Sequence, residues 1–326
     1  MTLTSTLRSV AFASLAALSC TLVAAQAFPN KPVRFIVPYA PGGASDALAR
    51  MLGVAVAADL GQSVVVDNRP GGASVVGTQA VATALSNGYT VGVVDSAYTI
   101  NPALLREKLP YDTLKDFSPV IMLGTAPIVL AVNASLKVSN LKELIALAKA
   151  KAGSLNYSSA GNGTALHLAG EQLKLAAGID MAHVPYKGGA PSVMAVVAGE
   201  TQVTLSAPST VMAHIQSGRL RAIAITGTAR LPALPGVATF AEQGLAGVDG
   251  LIAFGVVGPR GLPPEVVTRL ARALDKQLAT HEIRQKMMEL GFQPVGGSPD
   301  DYAKFIALEV PKWIDVVQRA NIKLDF

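Results

Sequence analysis

Cysteine is almost absent from this sequence, since its 326 residues include one, Cys20. That cysteine lies in an N-terminal segment that we expect to be removed. The mature chain then has no thiol, which excludes disulfides, thiolate catalysis and cysteine metal ligands. Aromatic residues are also few, at 5%, whereas half of all residues are hydrophobic. The fold must therefore be stabilised by an apolar core, and the length suits one large or two medium domains.

Long runs of one charge are missing as well. The 27 lysines and arginines exceed the 22 acidic residues only slightly, and they are scattered along the chain. This distribution predicts no nucleic-acid binding. After the N-terminal segment, no stretch is long and apolar enough to predict a membrane-spanning helix.

The first 27 residues have the order of a secretory signal peptide. Arg8 precedes an apolar stretch over residues 10–25, and Ala25-Gln26-Ala27 offers a small-residue cleavage site. Two alternatives are a membrane anchor and a lipoprotein. Polar residues interrupt the apolar stretch, and the residues before Cys20 match a lipobox poorly. We therefore expect release into the periplasm.

Strands alternate with helices along the mature chain, which predicts a doubly wound α/β fold. Residues 34–52 and 155–173 share one design of strand, glycine-rich loop and amphipathic helix, so we expect one such loop in each of two lobes. No linker is visible, and we place the crossings near residues 126–132 and 251–257. The predicted limits are 28–128 with 252–326 for one lobe and 129–251 for the other.

The two glycine-rich loops are predicted anion sites. Glycines and the first turn of a helix present N–H groups without internal partners, and the helix dipole favours negative charge there. The predicted residues are Gly42, Gly43, Ala44, Ser45 and Asp46 in the first loop, and Ser159, Gly161, Asn162, Gly163 and Thr164 in the second. We expect Ser45 or Asp46 to be the first N-cap. Since amides and hydroxyls do not titrate in the usable range, binding should follow the ligand's own carboxylate. The alternative is that each loop is only a tight turn.

Signatures of catalysis and of bound groups are missing from the sequence. There is no GxSxG or HExxH motif, and Gly161-Asn162-Gly163 fails as a dinucleotide fingerprint because position six is Leu166. The four histidines are isolated, so we interpret them as ordinary surface or packed residues. We predict no metal, no cofactor and no enzymatic activity.

With these residues in view, the mature chain resembles the substrate-binding proteins of tripartite tricarboxylate transporters, the Bug receptors. The resemblance runs in order through VPYAPGGASDALAR, LGQSVVVDNRPGGASVVGT, LNYSSAGNGTALHLAGE, HVPYKGGAPSV and GFQPVGGSPDDYAKFI. It implies a type II periplasmic-binding-protein fold whose two loops hold a small organic carboxylate. It also implies a monomer that delivers the ligand to a small and a large membrane subunit. Tyr186, Lys187 and Gly188 would line the second lobe, and Ser96 and Ser206 complete the predicted site.

Departures from that family fall where specificity would be set. Ser206 stands where relatives often carry an acidic residue able to meet a ligand amine, which argues against an amino-acid ligand. Asp95 and Ser96 also depart from the commoner pattern. Two other functions remain open: a sensory receptor that docks on a sensor-kinase ectodomain, and a periplasmic hydrolase, which lacks a recognisable nucleophile and base.

The signal-peptide assignment predicts a mature protein that begins at Phe28. Intact-mass measurement of protein from the periplasmic fraction should give the mass of residues 28–326. A lipid-modified species that begins at Cys20 would contradict the assignment.

Overall fold

The structure is a computed structural model, and it describes residues 28–319. The predicted signal peptide, with Cys20, lies outside the described residues, as do the last seven residues of the chain. Among the helices of the described range, none combines the length and the apolar character that a membrane span requires.

The first sheet has six strands in the order β11-β4-β10-β3-β1-β2. Its strands are β1 (Val33–Val37), β2 (Val64–Asn68), β3 (Thr90–Val94), β4 (Phe117–Pro127), β10 (Leu251–Pro259) and β11 (Gln293–Pro294). Strand β1 lies between β2 and β3 and runs parallel to both. Strand β10 is antiparallel to both of its neighbours, β3 and β4.

The second sheet has five strands in the order β7-β6-β8-β5-β9. Its strands are β5 (Val129–Asn133), β6 (Asn156–Ser159), β7 (Ala182–Pro185), β8 (Val203–Ser206) and β9 (Leu220–Ile225). Strand β6 lies between β7 and β8 and is parallel to both, as β1 is in the first sheet. Strands β1 and β6 are therefore equivalent, each next to an edge strand of its sheet, and the glycine-rich loops follow them, as the sequence predicted.

Helices connect the strands of both sheets. Six follow strands of the first sheet: α1 (Ala44–Leu60), α2 (Val75–Ala82), α3 (Ala97–Leu105), α8 (Pro264–Ala279), α9 (His281–Glu289) and α10 (Pro299–Arg319). Four belong with the second sheet: α4 (Leu141–Ala150), α5 (Ala165–Ala177), α6 (Gly189–Ala198) and α7 (Pro208–Gln216). A single 3₁₀ turn, Arg106–Lys108, follows α3.

Apolar periodicity explains why these segments fold as they do. In β1, Val33, Phe35 and Val37 are fully buried, and the intervening Ile36 is buried on the other face. A strand covered on both faces by helices reads as a continuous apolar run. In α1, Leu48, Leu52 and Val56 recur at helical spacing and are inaccessible to solvent. The burial of each such side chain contributes about 1.5–3 kcal/mol, which fixes α1 against β1.

The chain crosses between the sheets at two places, which are tied to each other. Only Ile128 separates β4 from β5, and residues 226–250 lead from β9 to β10. Thr226 donates its N–H to the Ile128 carbonyl (2.9 Å), and its hydroxyl accepts from the Ile128 N–H (2.8 Å) and donates to the Gly250 carbonyl (2.6 Å). Residues 251–257, predicted as one hinge segment, pair with β4 within the first sheet, and Gly250, which Thr226 contacts, lies directly before them. We propose the lobe limits given above, with Thr226 at the joint.

Candidate functional site

A small cavity lies between the two sheets, beyond the carboxyl ends of β1 and β6. Its volume is about 30 Å³, room for roughly two water-sized probe spheres. Both lobes supply its walls, which consist of Tyr39, Gly43, Ala44, Ser45, Asp95, Ala160, Thr164, Ala165, Leu166, Gly189, Ser206, Ala207, Thr210, Ile252 and Phe254. This position, outside the carboxyl ends of parallel strands, is where open α/β sheets bind ligands.

The first loop is held by the buried carboxylate of Asp46. It accepts hydrogen bonds from the Gly42 N–H (2.9 Å), the Arg50 Nε (2.9 Å) and the Asn68 side-chain amide (2.9 Å). Burial alone would raise the pKa of Asp46, but these hydrogen bonds outweigh it and hold the pKa below its ordinary value. Gly42 has φ +86°, a left-handed conformation that glycine tolerates best. Asp46 and Gly42 thus form the support of the loop and do not line the cavity.

The first helix turn is open toward the cavity because no side chain caps it. The N-cap of α1 is Gly43, in an extended conformation, so the predicted caps Ser45 and Asp46 are wrong and both lie inside the helix. Asp46 cannot cap because its carboxylate is turned to Arg50 and Asn68. The N–H groups of the first turn have no intrahelical partner, and Gly43, Ala44 and Ser45 line the cavity.

The second loop satisfies most of its own polar groups. The Gly161 N–H donates to Ser159 Oγ (3.1 Å), the Gly163 N–H to His167 Nδ1 (3.2 Å), and the Thr164 hydroxyl to the Gly161 carbonyl (2.8 Å). Thr164 is the N-cap of α5, and its Oγ1 accepts from the His167 N–H. Of the five predicted residues of this loop, only Thr164 reaches the cavity wall; Ala160, also in this loop, lines the cavity but was not predicted. The next two residues, Ala165 and Leu166, also line the cavity. Their N–H groups precede that of Leu168, which is the first to donate within the helix, to the Thr164 carbonyl.

Two of the four histidines support the second loop, a role that the sequence analysis missed. The His167 and His183 rings stack with centroids 4.1 Å apart, and His183 Nε2 lies 2.7 Å from Ser159 Oγ. Burial lowers the pKa of His167 to about 4, and burial together with His167 lowers that of His183 to about 3. Both rings are therefore neutral above about pH 5, and His167 Nδ1 can accept from Gly163. The only sequence signal was the position of His167 in the first turn of α5.

Three other predicted residues lie away from the cavity wall. The Ser96 hydroxyl accepts from the Ala253 N–H (2.8 Å) and borders a separate cavity of about 450 Å³ behind β10. The Tyr186 hydroxyl donates to Glu200 (3.2 Å) and so is turned away. Gly188 is buried at φ +142°, where an added Cβ would lie 3.2 Å from Ala40 N. Gly188 therefore permits close approach of the two lobes.

The lobes touch through the backbone of these loops. The Ala40 N–H of the first loop donates to the Lys187 carbonyl of the second lobe (2.9 Å). A Cβ added to Gly43 would lie 3.6 Å from Gly189 N. These contacts show the cleft in a closed arrangement.

Ser206 is the predicted residue that most directly marks a ligand position. It is fully buried and lines the cavity. Its hydroxyl oxygen has no hydrogen-bond partner among the described residues. A buried hydroxyl without a partner is costly by about 1–3 kcal/mol. A polar ligand atom in the cavity would satisfy it.

Asp95 and Tyr39 are cavity residues that the sequence analysis did not select. Asp95 Oδ1 accepts from the Tyr39 hydroxyl (2.8 Å) and from the Ala97 N–H (2.9 Å). Burial raises the pKa of Asp95 to about 6, although both hydrogen bonds oppose the rise. Burial and the Asp95 charge raise the pKa of Tyr39 well above its ordinary value, so it stays a donor. Asp95 is therefore a titratable group on the cavity wall, outside both glycine-rich loops.

No group of three potential metal-ligating side chains occurs within residues 28–319. The polar groups of the cavity are helix N-terminal amides, hydroxyls and one carboxyl group. This set can hold an anion at the amides, where the dipoles of α1 and α5 favour negative charge.

Comparison with known proteins gives one family and several close relatives. Residues 48–322 match the family model described as tripartite tricarboxylate transporter family receptor. The chain is 35% identical to protein BugT of Bordetella pertussis (strain Tohama I) over 303 residues, 93% of each chain. It superposes on the periplasmic binding protein BugD (TM-score 0.88, 29% identity, 91% of this chain and 99% of that one). A third similar protein is R. palustris Rpa4515 with adipate (TM-score 0.87, 32% identity, 91% and 99%).

The raised pKa of Asp95 predicts that Asp95→Asn stabilises the unliganded protein at neutral pH. The folded-state pKa, about 6, lies above the ordinary value, so wild type loses stability as pH rises through that range and the buried charge forms. Asparagine carries no charge and its oxygen can still accept from Tyr39 and Ala97. We expect a gain of about 1–2 kcal/mol at pH 8 that disappears near pH 4.

Thermal unfolding of wild type and Asp95→Asn from pH 4 to pH 8 measures this difference. Asp180→Asn is the matched control, because it removes the same charge from an exposed position in the other lobe. A gain in stability that is independent of pH, or that Asp180→Asn shows equally, would mean that the buried charge of Asp95 is not its cause.

Proposed function

The chain belongs to the tripartite tricarboxylate transporter receptor family, as the sequence predicted, and we propose that it captures a small organic carboxylate between its lobes in the periplasm. Its fold is that of a periplasmic binding protein, again as predicted, and it is a binding protein and not an enzyme. We further propose that it acts as a monomer and delivers the ligand to a small and a large membrane subunit.

One observation carries the proposal: two helix N-termini from different lobes, each with first-turn N–H groups that lack an intrahelical partner, meet at one cavity. Gly43, Ala44 and Ser45 bring the first turn of α1, and Ala165 and Leu166 bring that of α5. Each first turn presents N–H groups without intrahelical partners, and each helix end carries partial positive charge. A carboxylate has two oxygens that accept several hydrogen bonds, and it neutralises both ends at once.

Capture requires movement of the lobes. The cavity lies between the lobes, and the contacts of Ala40 with Lys187 and of Gly43 with Gly189 join the lobes beside it, so a ligand enters when the lobes separate. One connection is the single residue Ile128, and Thr226 of the other connection hydrogen-bonds to it; a few residues at the ends of elements are typical of a hinge. Closure then brings Ala40 to Lys187 and buries the ligand against Ile252 and Phe254 of β10.

The relatives support the proposed class of ligand and its proposed delivery to a transporter. The solved relative Rpa4515 contains adipate, a carboxylate, and the family description names a transporter. Delivery to a transporter is therefore the preferred role over docking on a sensor kinase, for which no feature of the described residues argues. In both roles a partner would recognise the closed form.

The test is the variant Gly43→Val, assayed by calorimetry against mono-, di- and tricarboxylates. Gly43 has φ −83°, which valine can adopt, so the fold should remain. The methyl groups of the introduced valine would lie between the lobes beside Gly189 and displace the ligand from the α1 amides. We expect affinity for every carboxylate to fall at least about 100-fold. Gly161→Val is a poorer test, because Gly161 has φ +132° and any side chain is strained there.

Gly236→Val is the control, because Gly236 is exposed and has nothing within 4 Å of an added Cβ. Circular dichroism confirms that both variants are folded. If Gly43→Val binds a carboxylate as tightly as wild type, or if the methyl ester of a bound acid binds equally well, the amide site is refuted.

A further inference from the structure

The cavity contains one acidic side chain and no basic one. Asp95 lines the wall that the first lobe supplies, and no lysine, arginine or histidine lies among the residues that line the cavity. The groups whose pKa its charge raises, in addition to burial, are the phenols of Tyr39, Tyr111 and Tyr302. Phenols can donate a hydrogen bond but do not neutralise a carboxylate.

The hydrogen bonds to Asp95 leave one of its oxygens available. Tyr39 and Ala97 both donate to Oδ1, and no other described residue donates to Oδ2. The Ala97 N–H belongs to the first turn of α3, so part of the role of Asp95 is to cap that helix. The cap alone does not require a carboxyl group on the wall of a ligand cavity.

A bound carboxylate adds a second negative charge to this enclosed space. The amides of α1 and α5 compensate the ligand's own charge, but they do not compensate Asp95. Buried charges of one sign without a counter-charge are strongly unfavourable. A cationic nitrogen on the ligand would remove the imbalance, because it pairs with Asp95 while the carboxylate stays with the amides.

We propose that the ligand is an amino carboxylate, whose ammonium group binds Asp95 and whose carboxylate binds the two helix N-termini. This rests on the carboxylate-binding function proposed above and names its ligand class. A dicarboxylate would place a third negative charge in the cavity. Ser206 leaves the wall of the second lobe neutral, which argued against an amino-acid ligand in the sequence, but Asp95 supplies the acidic group from the first lobe.

Calorimetry at pH 7.5 with matched probes tests the proposal. The probes are α-amino and ω-amino carboxylates of two to six carbons, with dicarboxylates and hydroxy carboxylates of the same lengths. Wild type should bind at least one amino carboxylate about 100-fold more tightly than the dicarboxylate of equal length. Asp95→Asn should lose about 100-fold in affinity for that probe and little or nothing for the hydroxy carboxylate. Asp180→Asn should behave as wild type.

Three outcomes would overturn the proposal. A dicarboxylate that binds wild type more tightly than every amino carboxylate would assign another ligand class and leave the carboxylate site intact. Equal losses for all probes in Asp95→Asn would mean that Asp95 acts only as a helix cap. If no carboxylate of any class binds, the proposed function fails together with this inference. Gly43→Val tests the carboxylate end of the ligand separately from the ammonium end, because it should lower the affinity for the amino and the hydroxy carboxylates alike.

Discussion

The closed form of this receptor depends on two helix N-termini that face one cavity. Each carries roughly half a positive charge and N–H groups that its own helix cannot satisfy. When α1 and α5 approach each other without an anion between them, these ends repel and their amides stay unpaired. A carboxylate between the two helix ends replaces this repulsion with attraction, because both positive ends then face a negative charge. In the proposed mechanism the free energy of closure therefore comes from the ligand, so that capture and lobe movement are one event.

The two loops present their helix N-termini to the cavity in different ways. In the first loop the carboxylate of Asp46 is committed to Gly42, Arg50 and Asn68, so no side chain caps α1 and its amides remain available. In the second loop Thr164 caps α5, and the neutral His167 holds Gly163. The ligand then meets two preorganised surfaces, and little loop entropy is lost on binding.

The repeated strand, glycine loop and helix were predictable from sequence because local patterns determine them. Val33–Val37 and Leu48, Leu52 and Val56 have the periodicity of a buried strand and an amphipathic helix. The N-cap of the first helix is Gly43, in an extended conformation, two residues before the first of the predicted caps, Ser45. The family was recognisable for the same reason, since its motifs lie in these loops.

Other features depend on contacts between distant residues. His183 lies 24 residues from Ser159, and Tyr39 lies 56 residues from Asp95. Nothing in the local sequence shows that these pairs meet. The joint at Thr226 was missed because β10 reads as one continuous strand, whereas the crossing lies in the irregular segment before it. The most direct test of the whole account is a crystal structure of the complex with the tightest-binding carboxylate. The account predicts carboxylate oxygens within about 3.2 Å of amides from the first turns of both α1 and α5; a carboxylate bound to one lobe only, or outside this cavity, would contradict it.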